Sequence, residues 1–323
     1  MRKFFLIILG LLLAGPAAAA NVTINRGTSY QVMDGIGVNA NSANWIGTEL
    51  EPTIDALVAG GITTWRVILE TEQDWAAPPS SQDYSATKFA RCWGLIAYLN
   101  SKNAPFVGIS LIGLLPSSLS GSVGGTGLLQ AQESNWATMI ADMLDYGINT
   151  MGLHIDAISP FNEPDISGEG PSVNATQLAR AIRTLVDTLS ARGLDSVQII
   201  TPDVSTYSNT GTYVGSLDSA TKAAIQHYGA HNYSGAFSYS PPNGNFWATE
   251  FSPWIDNGEG GSGPGDYYSW SWPQAQTTWD YAVGFVKNYN VPGVQLWEAY
   301  NSTYEHGGGI GVWGGTKNEK NGF

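Results

Sequence analysis

The chain has 323 residues, of which 43% are apolar and only 13% are charged, so it can bury enough surface to fold and is not intrinsically disordered. Its 14 basic and 27 acidic residues give a formal charge of −13, which disfavours nucleic acid because few cations are present to neutralise phosphates. A single cysteine excludes intramolecular disulfides and Cys-rich zinc or iron–sulfur sites.

The first 20 residues have the pattern of a secretory signal peptide. Arg2 and Lys3 form a basic start, residues 4–13 are apolar, and an alanine run at 18–20 offers a cleavage motif. The apolar stretch is about half as long as the roughly 20 residues that span a bilayer. We therefore expect residues 1–20 to be a signal peptide, residues 21–323 to form one domain, and the protein to be secreted, extracellular or periplasmic, without membrane association.

Apolar spacing predicts eight strands that mostly alternate with helices. The strands are short apolar runs at residues 32–38, 62–69, 106–112, 155–161, 197–201, 229–233, 246–251 and 294–300. Helical spacing of apolar residues is found at 52–59, 86–99, 136–144, 178–189, 219–226 and around 279–286.

This alternation favours a parallel sheet, and eight such units in about 300 residues fit a (β/α)8 barrel, the TIM-barrel fold. An open doubly wound sheet is the alternative, because GIGVNA at residues 35–40 mimics the nucleotide-binding pattern G-x-G-x-x-A. The polar residues after that motif suit a loop better than a helix. No amphipathic pattern follows the eighth strand, so we expect a barrel without its final helix.

Two glutamates follow or end apolar strands, at the barrel end where active sites of this fold lie. Glu163 lies in the sequence SPFNEP after the fourth strand, and Glu250 lies in WATEFS at the end of the seventh. A carboxylate in this position is costly unless it is paired or hydrogen-bonded. Two carboxylates across a cleft are the groups used in glycoside hydrolysis, where one donates a proton and the other attacks the sugar. Arg66, near the end of the second strand, could keep one of them ionised or could form a structural ion pair.

Together these motifs resemble glycoside hydrolase family 30, within the retaining clan of (β/α)8 glycosidases. The resemblance rests on QVMDGIG at residues 31–37, NEP at 162–164 and WATEFS at 247–252. It implies that Glu163 is the general acid/base, that Glu250 is the nucleophile, and that Asn162 binds the sugar 2-hydroxyl. Retention requires the two carboxyl groups to lie about 5 to 5.5 Å apart.

The resemblance also implies substrate-binding roles at other strand ends. His231 and Tyr233 on the sixth strand match the family's His/Tyr position, and Tyr233 would hydrogen-bond the nucleophile. Trp297 on the eighth strand matches the aromatic floor of the sugar site. Trp45, after the first strand, is a candidate for a second wall. Each tryptophan could instead be a core residue, since large rings are usually buried.

No cofactor and no metal are expected, because His227 and His231 have no third ligand placed beside them. The resemblance implies a retaining hydrolase of a β-linked polysaccharide such as xylan, β-glucan or β-galactan, and we expect the protein to be a monomer. Aromatic residues in the loop at 253–273 favour endo action, because planar rings suit sugar faces. Two alternatives remain, an endoglucanase of another family in the clan and a catalytically inactive carbohydrate-binding barrel. Family members usually carry a β-sandwich built partly from residues after the eighth strand, so we expect this chain to be short at its carboxyl end.

Overall fold

A computed structural model describes residues 27, 31–70, 82–121, 125, 127–232, 245–251, 254–256, 262–264 and 272–300. The chain divides into two compact units, Met1–Val32 and Met33–Phe323, and every described helix and strand lies in the second. The expected signal peptide at residues 1–20 lies outside the described residues. Among the described helices, none is both long and apolar enough to cross a membrane.

Eight parallel strands form one sheet in the second unit. They are β1 (Gly35–Asn41), β2 (Thr64–Glu70), β3 (Phe106–Ile112), β4 (Ala157–Ser159), β5 (Gln198–Ile199), β6 (Tyr228–Asn232), β7 (Phe246–Phe251) and β10 (Gly293–Leu296). Their order is β5-β4-β3-β2-β1-β10-β7-β6, and every neighbouring pair is parallel. Two short strands between β7 and β10, β8 (Trp254–Asp256) and β9 (Ser262–Pro264), pair antiparallel with each other.

The sheet closes into a barrel between β5 and β6. Just beyond β5, Ile200 forms a parallel bridge with His227, and Val204 forms another with Ala230. The Thr201 N–H donates to the His227 carbonyl at 3.2 Å. Closure pairs the strands that would otherwise be the two edges of the sheet. The predicted (β/α)8 barrel is confirmed.

Helices connect most of the barrel strands. They are α1 (Gly47–Ala59), α2 (Thr87–Ser101), α3 (Ser117–Ser120), α4 (Glu133–Asp145), α5 (Ala175–Ala191), α6 (Tyr207–Gly215), α7 (Ser219–Ala224) and α8 (Trp272–Tyr289). The α5 helix begins where the Asn174 side chain accepts a hydrogen bond from the Gln177 N–H at 2.9 Å, which satisfies one exposed donor of the first turn. Its buried face carries leucines and an isoleucine at helical spacing, so α5 packs through one stripe.

The nucleotide-binding alternative is wrong, because GIGVNA at 35–40 lies inside β1 rather than in a turn before a helix. Its glycines serve close packing. A Cβ atom on Gly37 would lie 2.0 Å from the Thr64 hydroxyl oxygen on β2, so the two strands approach too closely for a side chain. The expected β1 was also placed three residues too early, since Met33 is exposed and the strand continues to Asn41.

Other differences from the predictions concern connections. The α6 helix was missed because its sequence YSNTGTYVG favours turns, whereas burial of Tyr207, Tyr213 and Val214 stabilises it in the fold. The connection at 253–273, expected to be a loop, contains the β8–β9 hairpin. The expected absence of a final helix and of β-sandwich strands concerns residues 301–323, outside the described residues.

Candidate active site

The barrel strands bring six polar side chains together at the carboxyl end of the sheet. All six are buried, and they come from β2, β6, β7 and the segments that follow β4 and β5: Arg66, Asn162, Glu163, Asp203, His231 and Glu250. Glu163 and Glu250 remain 7% and 6% exposed, so neither carboxylate is completely sealed from solvent. Five of the six were predicted from the sequence, and Asp203 was not.

Arg66 is the centre of this cluster. It lies within β2, which continues to Glu70, and not at the strand end as predicted. Its Nη1 donates to Glu250 Oε2 at 2.8 Å and its Nη2 donates to Asn162 Oδ1 at 2.7 Å and to Asp203 Oδ2 at 3.0 Å. Burial opposes the charge on Arg66, but the carboxylates of Asp203 and Glu250 outweigh it and raise the guanidinium pKa. Arg66 therefore keeps its charge beside Glu250.

Asn39 on β1 fixes the other side of Arg66 and was also missed. Its Oδ1 accepts from Arg66 Nη1 at 2.7 Å, and its Nδ2 donates to the Thr249 carbonyl at 3.1 Å and to the Leu296 carbonyl at 3.2 Å. Asn39 thus joins β2, β7 and β10 across the barrel interior. A buried amide with its donors and acceptor engaged holds the guanidinium in one orientation.

His231 links the two glutamates. Its Nδ1 lies 2.7 Å from Glu163 Oε1, and its Nε2 lies 3.5 Å from Glu250 Oε2 and 3.6 Å from Asp203 Oδ1. Burial acts to lower the imidazole pKa, but the Glu250 charge and hydrogen bonds to Asp203 and Glu163 raise it to about 10. His231 is therefore a cation near neutral pH and donates its Nδ1–H to Glu163.

Asp203 follows β5 and is fully buried. The hydroxyls of Ser159 and Thr249 donate to its two carboxylate oxygens, the first at 2.6 Å. Burial acts to raise the pKa of Asp203, but the charges of Arg66 and His231 and these hydrogen bonds hold it well below the usual range. The signal that found Glu163, a carboxylate after an apolar strand, also applies to Asp203 and would have found it.

Glu163 is held in an unusual backbone conformation, with φ of 45° in the left-handed region. Its N–H donates to the Asp203 carbonyl at 2.9 Å. Next to it, the Asn162 Nδ2 donates to the Glu169 carbonyl at 3.3 Å. Strained backbone of this kind persists where the surroundings fix it, and it is frequent at functional sites.

A carboxylate oxygen of Glu163, one of Glu250 and a ring nitrogen of His231 lie within 4.8 Å of one another. Such a group of three can in principle hold a metal ion. Here these atoms are already paired, since His231 Nδ1 lies 2.7 Å from Glu163 Oε1 and Glu250 Oε2 accepts from Arg66 Nη1 at 2.8 Å. The absence of a metal and of a cofactor stays a prediction.

The predicted aromatic residues have different outcomes. Trp45 is 7% exposed, its ring centroid lies 5.7 Å from that of Tyr98, and it also contacts Gly94 on α2. Packing on a helix leaves little of this ring for a sugar, so the structure favours the core role over the predicted wall. Trp297 follows β10 and is partly exposed, and its role as a sugar platform stays a prediction. Tyr233 lies outside the described residues.

No protein-family model and no curated protein matches the chain. Solved structures do match. One is a glycoside hydrolase family 30 subfamily 8 xylanase from Clostridium acetobutylicum, with a TM-score of 0.68 and 15% identity over 89% of this chain and 69% of the xylanase.

Two further matches have similar scores. The catalytic domain of a family 30 xylanase C from Talaromyces cellulolyticus has a TM-score of 0.61 and 18% identity over 86% of this chain and 70% of the other. A conserved exported protein from Bacteroides fragilis has a TM-score of 0.65 and 15% identity over 87% of this chain and 72% of the other. The resemblance predicted from the sequence is confirmed at the level of fold, and this chain has the (β/α)8 glycosidase fold of the family 30 xylanases.

Proposed function

We propose that this protein is a retaining glycoside hydrolase that cleaves β-glycosidic bonds of a polysaccharide, with Glu250 as nucleophile and Glu163 as general acid/base. The observation that carries the proposal is the pairing of the two glutamates. Their nearest carboxylate atoms lie within 4.8 Å, and each glutamate contacts its own buried cation, Arg66 at 2.8 Å from Glu250 and His231 at 2.7 Å from Glu163.

The spacing favours double displacement. Inverting enzymes hold their carboxyl groups about 6.5–9.5 Å apart to admit a water molecule, whereas retaining enzymes hold them about 5–5.5 Å apart. In the first step a Glu250 oxygen bonds to the anomeric carbon, the glycosidic C–O bond breaks, and the Glu163 proton passes to the leaving oxygen. In the second step Glu163 takes a proton from water, the water oxygen bonds to the anomeric carbon, and the bond to Glu250 breaks.

Arg66 and Asn162 fit these roles. Arg66 favours the ionised, nucleophilic form of Glu250 through a charge-assisted hydrogen bond. Asn162 suits the sugar 2-hydroxyl, because its nitrogen carries two hydrogens and the described structure engages one of them with the Glu169 carbonyl. This hydrogen bond would strengthen in the transition state.

The substrate we propose to test first is xylan, since several structural neighbours are xylanases by their descriptions. β-Glucan and β-galactan follow. Secretion is part of the proposal. It is supported by the basic and apolar pattern of residues 1–20 and by the similarity to a protein described as exported. Endo action and a monomeric state complete the proposal and rest on the sequence alone.

The test is reducing-sugar release on a panel of β-linked polysaccharides by wild type, Glu250→Gln and Glu163→Gln. We expect Glu250→Gln to abolish release, because an amide cannot form the glycosyl ester. Glu133→Gln is the matched control, since Glu133 is also buried and paired, to Arg180 at 3.0 Å, but lies on α4. Its activity should stay close to that of wild type.

The same panel separates the alternatives. Equal release by wild type and Glu250→Gln contradicts the proposal. Binding of a polysaccharide without any release by wild type supports an inactive carbohydrate-binding barrel. Preferred release from β-1,4-glucan over xylan supports an endoglucanase of another family in the clan.

A further inference from the structure

Asp203 is a buried carboxylate whose side chain lies beside both cations of the site, Arg66 and His231. These cations in turn contact Glu250 and Glu163. We propose that Asp203 is a positioning residue, which fixes Arg66 and His231 so that they hold Glu250 and Glu163 in the geometry of catalysis. This inference rests on the proposed function of the two glutamates. Asp203 itself is not expected to touch the substrate, because it is fully buried.

Asp203 contacts three members of the cluster, Arg66, His231 and Glu163. Its Oδ2 accepts from Arg66 Nη2 at 3.0 Å, and its Oδ1 lies 3.6 Å from His231 Nε2. Its backbone carbonyl accepts from the Glu163 N–H at 2.9 Å, and its own N–H donates to the Gly229 carbonyl at 2.9 Å. Asp203, in the segment that follows β5, therefore contacts a cation on β2, a cation on β6 and the backbone of Glu163.

Charge balance explains why a carboxylate is needed there. Arg66 Nη2 and His231 Nε2 lie only 3.4 Å apart, and two cations at this distance repel each other unless anions surround them. The charged groups in contact with His231 are Glu163, Asp203 and Glu250 as acids and Arg66 as a base, and Glu169 also interacts with it electrostatically. Burial is the main cause that raises the pKa of Glu169, which favours its neutral form. With Glu163 protonated for catalysis, Asp203 and Glu250 supply the two negative charges in contact with Arg66 and His231.

The neighbouring strand is shaped to receive this carboxylate. A Cβ atom on Gly229 of β6 would lie 2.6 Å from Asp203 Oδ1, so glycine at this position leaves the space that the carboxylate fills. The Ser159 and Thr249 hydroxyls then fix its two oxygens from β4 and β7. Asp203 is thus oriented by three strands and does not depend on the glutamates for its position.

The inference predicts a specific loss in Asp203→Asn. Asparagine has nearly the same shape and tolerates the left-handed backbone at this position, where φ is 57°. Removal of the negative charge should lower the pKa of His231 by about 1 to 3, because an opposite charge within a few ångströms has an effect of that size. Arg66 and His231 also lose the anion that fixes them, and small misplacements of catalytic groups are costly. On the fastest polysaccharide of the panel, kcat should fall by about 100-fold or more, with KM little changed.

The experiment titrates His231 by NMR of the imidazole nitrogens in wild type, Asp203→Asn and Asp156→Asn, alongside kcat, KM and the melting temperature. The chain has four histidines, and His231→Gln identifies the signal. Asp156 is the matched control, because it accepts from the Val107 N–H at 2.7 Å just before β4, at the opposite end of the strand. We expect a lowered pKa of His231 and lowered kcat in Asp203→Asn only.

The possible results test the positioning role of Asp203 and the proposed hydrolase function separately. An unchanged titration of His231 and unchanged kcat in a folded Asp203→Asn protein overturns the positioning role and leaves the proposed function intact. If wild type cleaves no polysaccharide but the His231 pKa falls in Asp203→Asn, the proposed function fails while the positioning of His231 stands. Should Asp203→Asn not fold, wild type alone still tests the idea, because a His231 that is neutral at pH 7 would overturn it.

Discussion

Two histidines four residues apart, one just before strand β6 and one within it, are in opposite electrostatic situations. His227, just before β6, packs its ring against Trp247 with centroids 4.2 Å apart, and its Nε2 lies 3.0 Å from the neutral Gln198 amide oxygen. Burial lowers its pKa, although Asp34 acts against this. His231, within β6, has its pKa raised to about 10 by convergent carboxylates, despite its complete burial.

The two histidines show that the two ends of the barrel strands have different environments, aromatic packing at one end and charged groups at the other. At the amino end of the strands, aromatic rings surround His227, and Phe106 and Trp247 contact edge to face at 5.0 Å. At the carboxyl end, charged groups replace the rings. At His227 burial outweighs the single carboxylate of Asp34, whereas at His231 the convergent carboxylates outweigh burial. The predictions below test this contrast.

The largest effect is expected from Arg66→Met. The substitution removes one of the two cations beside the buried carboxylates of Glu250 and Asp203, and breaking buried pairs in this way costs about 3–5 kcal/mol of unfolding free energy. Chemical denaturation measures it. Arg183→Met is the matched control, because its pair with Asp187 is exposed and such pairs contribute about 0–1 kcal/mol. Equal losses in the two variants would contradict the central role of Arg66.

A smaller effect is expected from Trp247→Phe at the amino end. The indole N–H donates to Asp34 at 2.8 Å and the ring fills space between Phe106 and Gly293, so the variant loses a hydrogen bond and some packing. We expect a loss of about 1–3 kcal/mol in unfolding free energy. Glycosidase activity at room temperature should stay close to wild type. A large fall in kcat without a loss of stability would show that the two ends are coupled.

The smallest effect is expected in the pH dependence of stability. A histidine with a lowered pKa in the folded state binds fewer protons than in the unfolded chain, so its contribution is present above about pH 6.5 and is lost as the pH falls below that value. His227→Gln should therefore reduce the loss of stability on acidification. Thermal unfolding from about pH 7 to pH 5 measures the difference, and a steeper acid loss in the variant would contradict it.

For His231 the pH dependence of stability has the opposite sign. Its raised pKa means that its contribution is present below about pH 6.5 and is lost as the pH rises towards about 10. His231→Gln should therefore flatten the alkaline side of the stability profile and leave the acid side unchanged. If His227→Gln instead flattened the alkaline side, His227 would be the histidine with the raised pKa, which would contradict the contrast between the two.

The sequence predicted the barrel and the two glutamates because both leave local signals. Apolar runs alternate with helical spacing, and Glu163 and Glu250 stand at or just beyond apolar strands. Asn39 left no such signal, since a polar residue inside a strand has no evident partner until the barrel closes around it and brings Thr249 and Leu296 into reach. Trp45 could not be assigned because the direction of a ring depends on its tertiary neighbours, here α2.

Direct attack of Glu250 on the sugar has a stereochemical consequence, which the anomeric configuration of the first product reveals. Proton NMR of a fresh digest of the best polysaccharide records the anomer before mutarotation mixes the two forms. Two displacements restore the original configuration, so we expect β-anomeric product at the earliest time points. An α-anomeric product would show single displacement by water and would contradict the role of Glu250 as nucleophile.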